Sequence, residues 1–119
     1  RRQRQMCIRD RIQPISQVVK NKSKIFFDGG VCRGTDVVKA ISLGADCIGI
    51  GRLQCYAAAT NGREGLNKMI DILTHEILVC MRLLGVNCLG DLNSNYVKKD
   101  ISISDPSLIS SFPLIEEGY

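Results

Sequence analysis

KIFFDGGVCRGTDVVKAISLGADCIGIGR, residues 24–52, is punctuated by glycine at every change of direction. Ile25, Phe26 and Phe27 form a short apolar run that stops at Asp28. Gly29 and Gly30 then permit a sharp turn, and with no Cβ they let a ligand approach the backbone closely. Gly34-Thr35-Asp36 opens a helix, with Thr35 or Asp36 as the expected N-cap. Val37, Val38, Ala40, Ile41 and Leu43 give that helix an apolar side, and Gly44 ends it. Cys47-Ile48-Gly49-Ile50 reads as a second, buried type of strand, closed by Gly51-Arg52. Two apolar strands around one short helix predict a right-handed βαβ unit with parallel strands. Both strands end in glycine, so both C-terminal ends can bring backbone N–H groups to an anion.

Working outward, residues 12–22 predict the end of an amphipathic helix, with Ile15, Val18 and Val19 facing in and Pro14 in the first turn. On the other side, Leu53 to Thr60 predicts a short helix that Asn61-Gly62 breaks. The longest helix follows from about Glu64 to Leu84. Its stripe of Leu66, Met69, Ile70, Leu73, Ile77, Cys80, Met81 and Leu84 has three- and four-residue spacing and predicts packing on the outside of a parallel sheet. Gly85 is the expected C′ residue, and Leu89 and Leu92 fall in a small capping turn. Residues 93–119 are polar with Asp-Pro-Ser and Phe-Pro breakers. They read as a C-terminal tail with one helical turn after Asp105, of the kind that lies on a neighbouring subunit or moves freely.

The order DGG, RGTD, KA, LGAD and GIGR resembles the seventh strand, seventh helix and eighth strand of the FMN-dependent α-hydroxy-acid oxidase and dehydrogenase family. Tyr56, Gly62, Gly65-Leu66, Glu76, Met81, Leu83, Gly85 and Asp91-Leu92 are similar to that family's C-terminal helix in spacing. The resemblance implies an α/β fold, the C-terminal part of a TIM (β/α)8 barrel, carried by residues 12–92. In such barrels the loops after strands seven and eight commonly bind phosphate. It further implies FMN as cofactor, held by Asp28, Gly29, Gly30, Val31, Cys32, Arg33, Gly51 and Arg52 along its phosphate and ribityl chain. Glycine amides and an Arg fork suit a phosphate, and the helix N-terminus after Gly51 adds a favourable dipole. The implied reaction is oxidation of a small 2-hydroxy acid to the 2-oxo acid while FMN is reduced at N5. A homo-oligomer, tetramer or octamer, is implied for the full-length protein.

Two departures from the family pattern matter. DGGVR is usual, whereas Cys32 stands here where that Arg would be, with Arg33 next along. Loss of one charge-assisted hydrogen bond costs roughly 1.5–3 kcal/mol of binding, and Arg33 compensates only if the turn rotates. The family's His base, substrate-carboxylate Arg and Tyr residues have no counterpart in this segment. His75 lies mid-helix off the apolar stripe and reads as a surface residue, so no catalytic residue is named.

Residues 1–11, RRQRQMCIRDR, back-translate to a read adapter of transposase-based DNA library preparation and are expected not to be native. They contain five arginines and one aspartate, which is the whole formal charge of +4; the remainder carries 11 basic and 11 acidic residues. The basic balance therefore supports neither nucleic-acid nor membrane binding. There is no 18-residue apolar run. Outside the first 11 residues Cys32, Cys47, Cys55, Cys80 and Cys88 are odd in number and lack C-x-x-C spacing. That argues against a disulfide framework or a metal site and for a reducing cytoplasm, with Cys47 and Cys80 as small buried hydrophobes.

Other readings are a fragment of a different phosphate-binding barrel, similar to inosine-monophosphate dehydrogenase or isopentenyl-diphosphate isomerase, and an inactive degenerate piece. A His-Gly-x-Arg-Gln motif just before Ile12 would mark the first reading, and a catalytic Cys loop further upstream would mark the second. The GIGR ending and the Glu76–Gly85 helix favour the hydroxy-acid family. Because two strands are about a quarter of a barrel, with open edges, the isolated chain is not expected to fold stably.

Overall fold

A computed structural model describes residues 12–19 and 22–98. The readings of residues 1–11 and of a helical turn after Asp105 lie outside them. The described chain is a βαβ unit with helices layered on one face of its sheet. β1 (Phe26–Asp28) and β2 (Cys47–Gly49) run parallel, with Phe26 opposite Cys47, Phe27 opposite Ile48 and Asp28 opposite Gly49. Side chains alternate across a strand, so Phe27 turns into the core while Phe26, 76% exposed, and Cys47 share the open face. In this two-stranded chain Cys47, expected as a small buried hydrophobe, is exposed. The helices cover only the Phe27–Ile48 face.

Asp46 ties the sheet together ahead of β2. Its carboxylate accepts from Lys24 Nζ at 2.7 Å and from the Ile25 N–H at 2.9 Å. The lysine and then the amide hold this carboxyl below its ordinary range.

α2 (Gly34–Ser42) lies over the covered face. Its Val37 and Ala40 pack with Phe27, Val31 and Ala45, while Val38 turns away from the sheet to meet Met81, Val86 and Leu92. Full burial of side chains of this size contributes about 1.5–3 kcal/mol each. The N-cap is Arg33, not Thr35 or Asp36. Asp36 instead occupies the third helical position, and its Oδ2 reaches back to accept from the N–H groups of Cys32 and Arg33, both at 3.1 Å. A carboxylate there satisfies amides that have no partner inside the helix.

α1 covers residues 12–19. Of the three residues expected to face in, Val19 is half-buried, but Ile15 and Val18 are 46% and 79% exposed. Ile12, Ser16 and Val19 carry the inward stripe at the same helical period, with Ile12 buried against Phe27 and Val31 and Ser16 close to Gly44.

α3 (Arg52–Leu84) is continuous except at Asn61 (φ −154°, ψ 39°) and Gly62 (φ 49°, ψ −127°). The second pair of angles belongs to glycine alone among the common residues, and it splits the helix where the sequence placed a break. Beyond it Leu73 and Met81 are buried and Leu66, Met69, Ile77, Cys80 and Leu84 half-buried, but Ile70 is 54% exposed. The stripe meets α2 before the sheet, because α2 already covers the face of two short strands; Ile77 reaches both core clusters. Gly85 (φ 70°) ends the helix. Two 3-10 turns follow, Leu89–Asp91 and Ser94–Tyr96, with Leu92 buried between them and the second turn resting on α2.

Candidate functional site

Where β1 and β2 run out, the chain leaves a cleft of about 210 Å³ lined by Asp28, Gly29, Gly30, Val31, Cys32, Gly49, Gly51, Arg52 and Leu53. Gly29 (φ 127°) and Gly30 (φ 69°) make the turn on the β1 side. A Cβ built at Gly29 or at Gly51 would meet nothing within 4 Å, so both glycines border open space. Of the eight residues named from the sequence, seven line the cleft. Arg33 does not: its Nη2 lies 2.6 Å from Glu76 Oε1 on α3. Gly49 was missed, although as the register partner of Asp28 it had to share the cleft floor once the strands were paired.

The two helix N-termini near the cleft differ in charge. At α2, the amides of Cys32 and Arg33 are taken by Asp36, and the Gly34 N–H donates to Glu76 Oε2 at 2.7 Å. Two carboxylates thus already occupy that end. At α3 the N-cap is Gly51, which has no side chain to cap with, and the first turn contains no acid. An uncapped helix N-terminus carries about half a positive charge, and Arg52, the one cation among the lining residues, stands beside it. An anion therefore favours the α3 side. Asp28, at the end of β1, adds a carboxylate to the lining, suited to accept from hydroxyl groups and not to face a phosphate. Cys32 contributes a half-buried thiol where a cation would strengthen the grip.

Glu76 entered the sequence reading through the helix spacing it shares with the family and was given no role at the site; it lies inside the apolar stripe, between Leu73 and Ile77. Its side chain is 19% exposed. The Gly34 amide, and after it the Arg33 guanidinium, hold its carboxyl below the ordinary value of 4.5. A folded-state value below the unfolded one stabilises the fold fully above the unfolded value and loses that contribution as pH falls through the folded value. The expected result is that acidification below pH 4.5 lowers the thermal midpoint more in wild type than in Glu76→Gln. Parallel curves would refute the linkage.

The residues fit one end of a phosphorylated ligand. The cleft is smaller than the roughly 300–1,000 Å³ that encloses a whole ligand. Its lining offers Arg52 and the α3 N-terminus as donors and Asp28 as an acceptor.

The sequence profile of the family described as FMN-dependent dehydrogenase matches residues 9–99. The L-lactate dehydrogenase (cytochrome) of Saccharomyces cerevisiae is 51% identical over 74 residues, which are 62% of this chain and 12% of that protein. A peroxisomal (S)-2-hydroxyacid oxidase of Arabidopsis thaliana is 39% identical over 89 residues, 75% of this chain and 24% of that one. The fold superimposes with a TM-score of 0.74 and 35% identity on a flavocytochrome b2 double mutant with pyruvate bound, covering 93% of this chain and 29% of the other. The chain thus spans about a quarter or less of the length of these curated relatives.

Proposed function

Because the chain belongs to the FMN-dependent dehydrogenase family, we propose that its cleft holds the phosphate end of FMN in an enzyme that oxidises a small 2-hydroxy acid to the 2-oxo acid. The fold is the C-terminal part of a (β/α)8 barrel, and the cleft lies where such barrels bind phosphate. The observation that carries the reading is the contrast between the helix ends: α2 is already filled by Asp36 and Glu76, whereas α3 offers an uncapped N-terminus, Arg52 and open space.

When bound, FMN supplies the acceptor for the hydride equivalent that leaves the substrate. The residues of this chain bind and orient. Arg52 presents a fork to two phosphate oxygens, the α3 N-terminus adds its dipole, and Asp28 accepts from ribityl hydroxyls. Gly29 and Gly30 keep side chains out of the way. Uptake of the substrate's proton is assigned to no residue here; His75 is exposed and does not line the cleft. A homo-oligomer, tetramer or octamer, in the cytoplasm belongs to the same reading. Among the described residues the five cysteines are free, in keeping with a reducing compartment, and no helix is long and apolar enough to cross a membrane.

The test compares FMN with riboflavin, which lacks only the phosphate, by quenching of flavin fluorescence on the complete enzyme carrying this segment. Two or more charge-assisted hydrogen bonds at roughly 1.5–3 kcal/mol each predict a preference for FMN of about a hundredfold or more. Equal affinity would sink the reading.

A further inference from the structure

We propose that Glu76 is a positioning residue for flavin phosphate recognition: from α3 it fixes the Cys32–Gly34 segment, whose Cys32 lines the cleft together with Arg52. This rests on the reading of the cleft as the phosphate site. Glu76 stands 42 residues from Gly34 in sequence, yet its Oε2 accepts from the Gly34 N–H at 2.7 Å while its Oε1 holds Arg33 Nη2 at 2.6 Å. The two oxygens grip two successive residues immediately after Cys32, which lines the cleft. Asp36 completes the arrangement by taking the N–H groups of Cys32 and Arg33. Residues 32–34 are thus held by a carboxylate from their own helix and by one from the helix whose other end presents Arg52.

The two contacts of Glu76 differ in exposure. The Arg33 side chain is 70% exposed, and exposed ion pairs contribute little. The Gly34 amide lies at the α2–α3 crossing, where a Cβ built on Gly34 would fall 2.6 Å from the Ile77 nitrogen and 2.8 Å from the Leu73 oxygen. Gly34 is buried, and its N–H is satisfied by Glu76 Oε2. The amide contact therefore does the positioning, and the ion pair keeps Arg33 out of the cleft.

The experiment measures dissociation constants for FMN and for riboflavin in the complete enzyme with Glu76→Ala, Glu76→Gln and Arg33→Ala. Glu76→Ala should weaken FMN about tenfold or more and change riboflavin less than about threefold, because the two ligands differ only in the phosphate that the cleft is read to hold. Glu76→Gln keeps a carbonyl acceptor for the Gly34 N–H and should restore FMN binding to within about threefold of wild type. Arg33→Ala should also stay within about threefold. Equal losses for FMN and riboflavin in Glu76→Ala would reveal a general structural role and overturn the proposal. So would retention of the FMN preference in that variant, or an Arg33→Ala loss as large as that of Glu76→Ala. If Glu76→Ala does not fold, a Glu76→Gln enzyme that loses the FMN preference overturns it equally, and one that keeps it while Arg33→Ala does too supports it. A wild-type enzyme that fails to prefer FMN would instead defeat the site reading itself.

Discussion

Arg52→Ala is expected to weaken FMN binding by about one to two orders of magnitude while leaving riboflavin affinity nearly unchanged. Arg52 is the one cation among the residues lining the cleft, so its removal takes away a charge-assisted interaction worth roughly 1.5–3 kcal/mol, and a factor of ten corresponds to about 1.4 kcal/mol. The α3 dipole remains and keeps the loss finite. Arg52→Lys should recover part of the affinity, because an ammonium restores charge without the fork. The mirror substitution is Cys32→Arg, which adds a second cation to the same cleft and should tighten FMN by a factor of the same order. Titration of the apoenzyme checks all three. An Arg52→Ala enzyme with wild-type FMN affinity would remove Arg52 from the phosphate site, and an unchanged affinity in Cys32→Arg would remove Cys32.

Gly34→Ala is expected to produce the largest loss of stability. In most helix positions alanine is favoured over glycine by up to about 1 kcal/mol, so propensity alone predicts a gain. Space reverses the sign. The new Cβ would lie 2.6 Å from Glu76 Cβ, 2.6 Å from the Ile77 nitrogen and 2.8 Å from the Leu73 oxygen, and two of these three atoms are backbone. A rotamer change cannot relieve that contact; α2 and α3 must separate. Overpacking costs about 1–3 kcal/mol, and separation also stretches the Gly34–Glu76 hydrogen bond, which as a bond to a charged group is worth roughly 1.5–3 kcal/mol. The net expectation is a loss of about 2–5 kcal/mol, several degrees or more in thermal midpoint. Thermal unfolding of the complete enzyme with saturating FMN checks it. A midpoint within a degree of wild type would mean that the helices do not cross this closely.

The elements were legible in the sequence because local signals agreed with one another. Gly44 and Gly85 end the helices they were expected to end, and Asn61-Gly62 breaks α3 where the pattern stopped. The cleft was legible as well, since two strands that end in glycine on the same side can only converge there. What failed was anything that depends on a partner distant in sequence. Ile15 and Val18 of α1 were misjudged because they are as apolar as Ile12, and only the position of β1 and α2 selects Ile12 and Ser16. Cys47 looked like core because alternation shows that two faces exist but not which of them the helices of this chain cover. Arg33 looked like a cleft residue until its partner was known. The signal for that partner was present, since an acid at position 76 interrupts an apolar stripe, but nothing local says which amide it seeks.

The interruption of α3 at Asn61 and Gly62 separates two duties that a single straight rod would have to share. The long portion is fixed by the interior it seals, through Leu73, Ile77 and Met81. The short portion, Arg52 to Thr60, begins at Gly51 and ends at the break. At the break the two portions press together, since a Cβ built on Gly65 would run into the Ala57 carbonyl oxygen, so the direction of the short portion and of the guanidinium at its tip depends on position 65 staying bare.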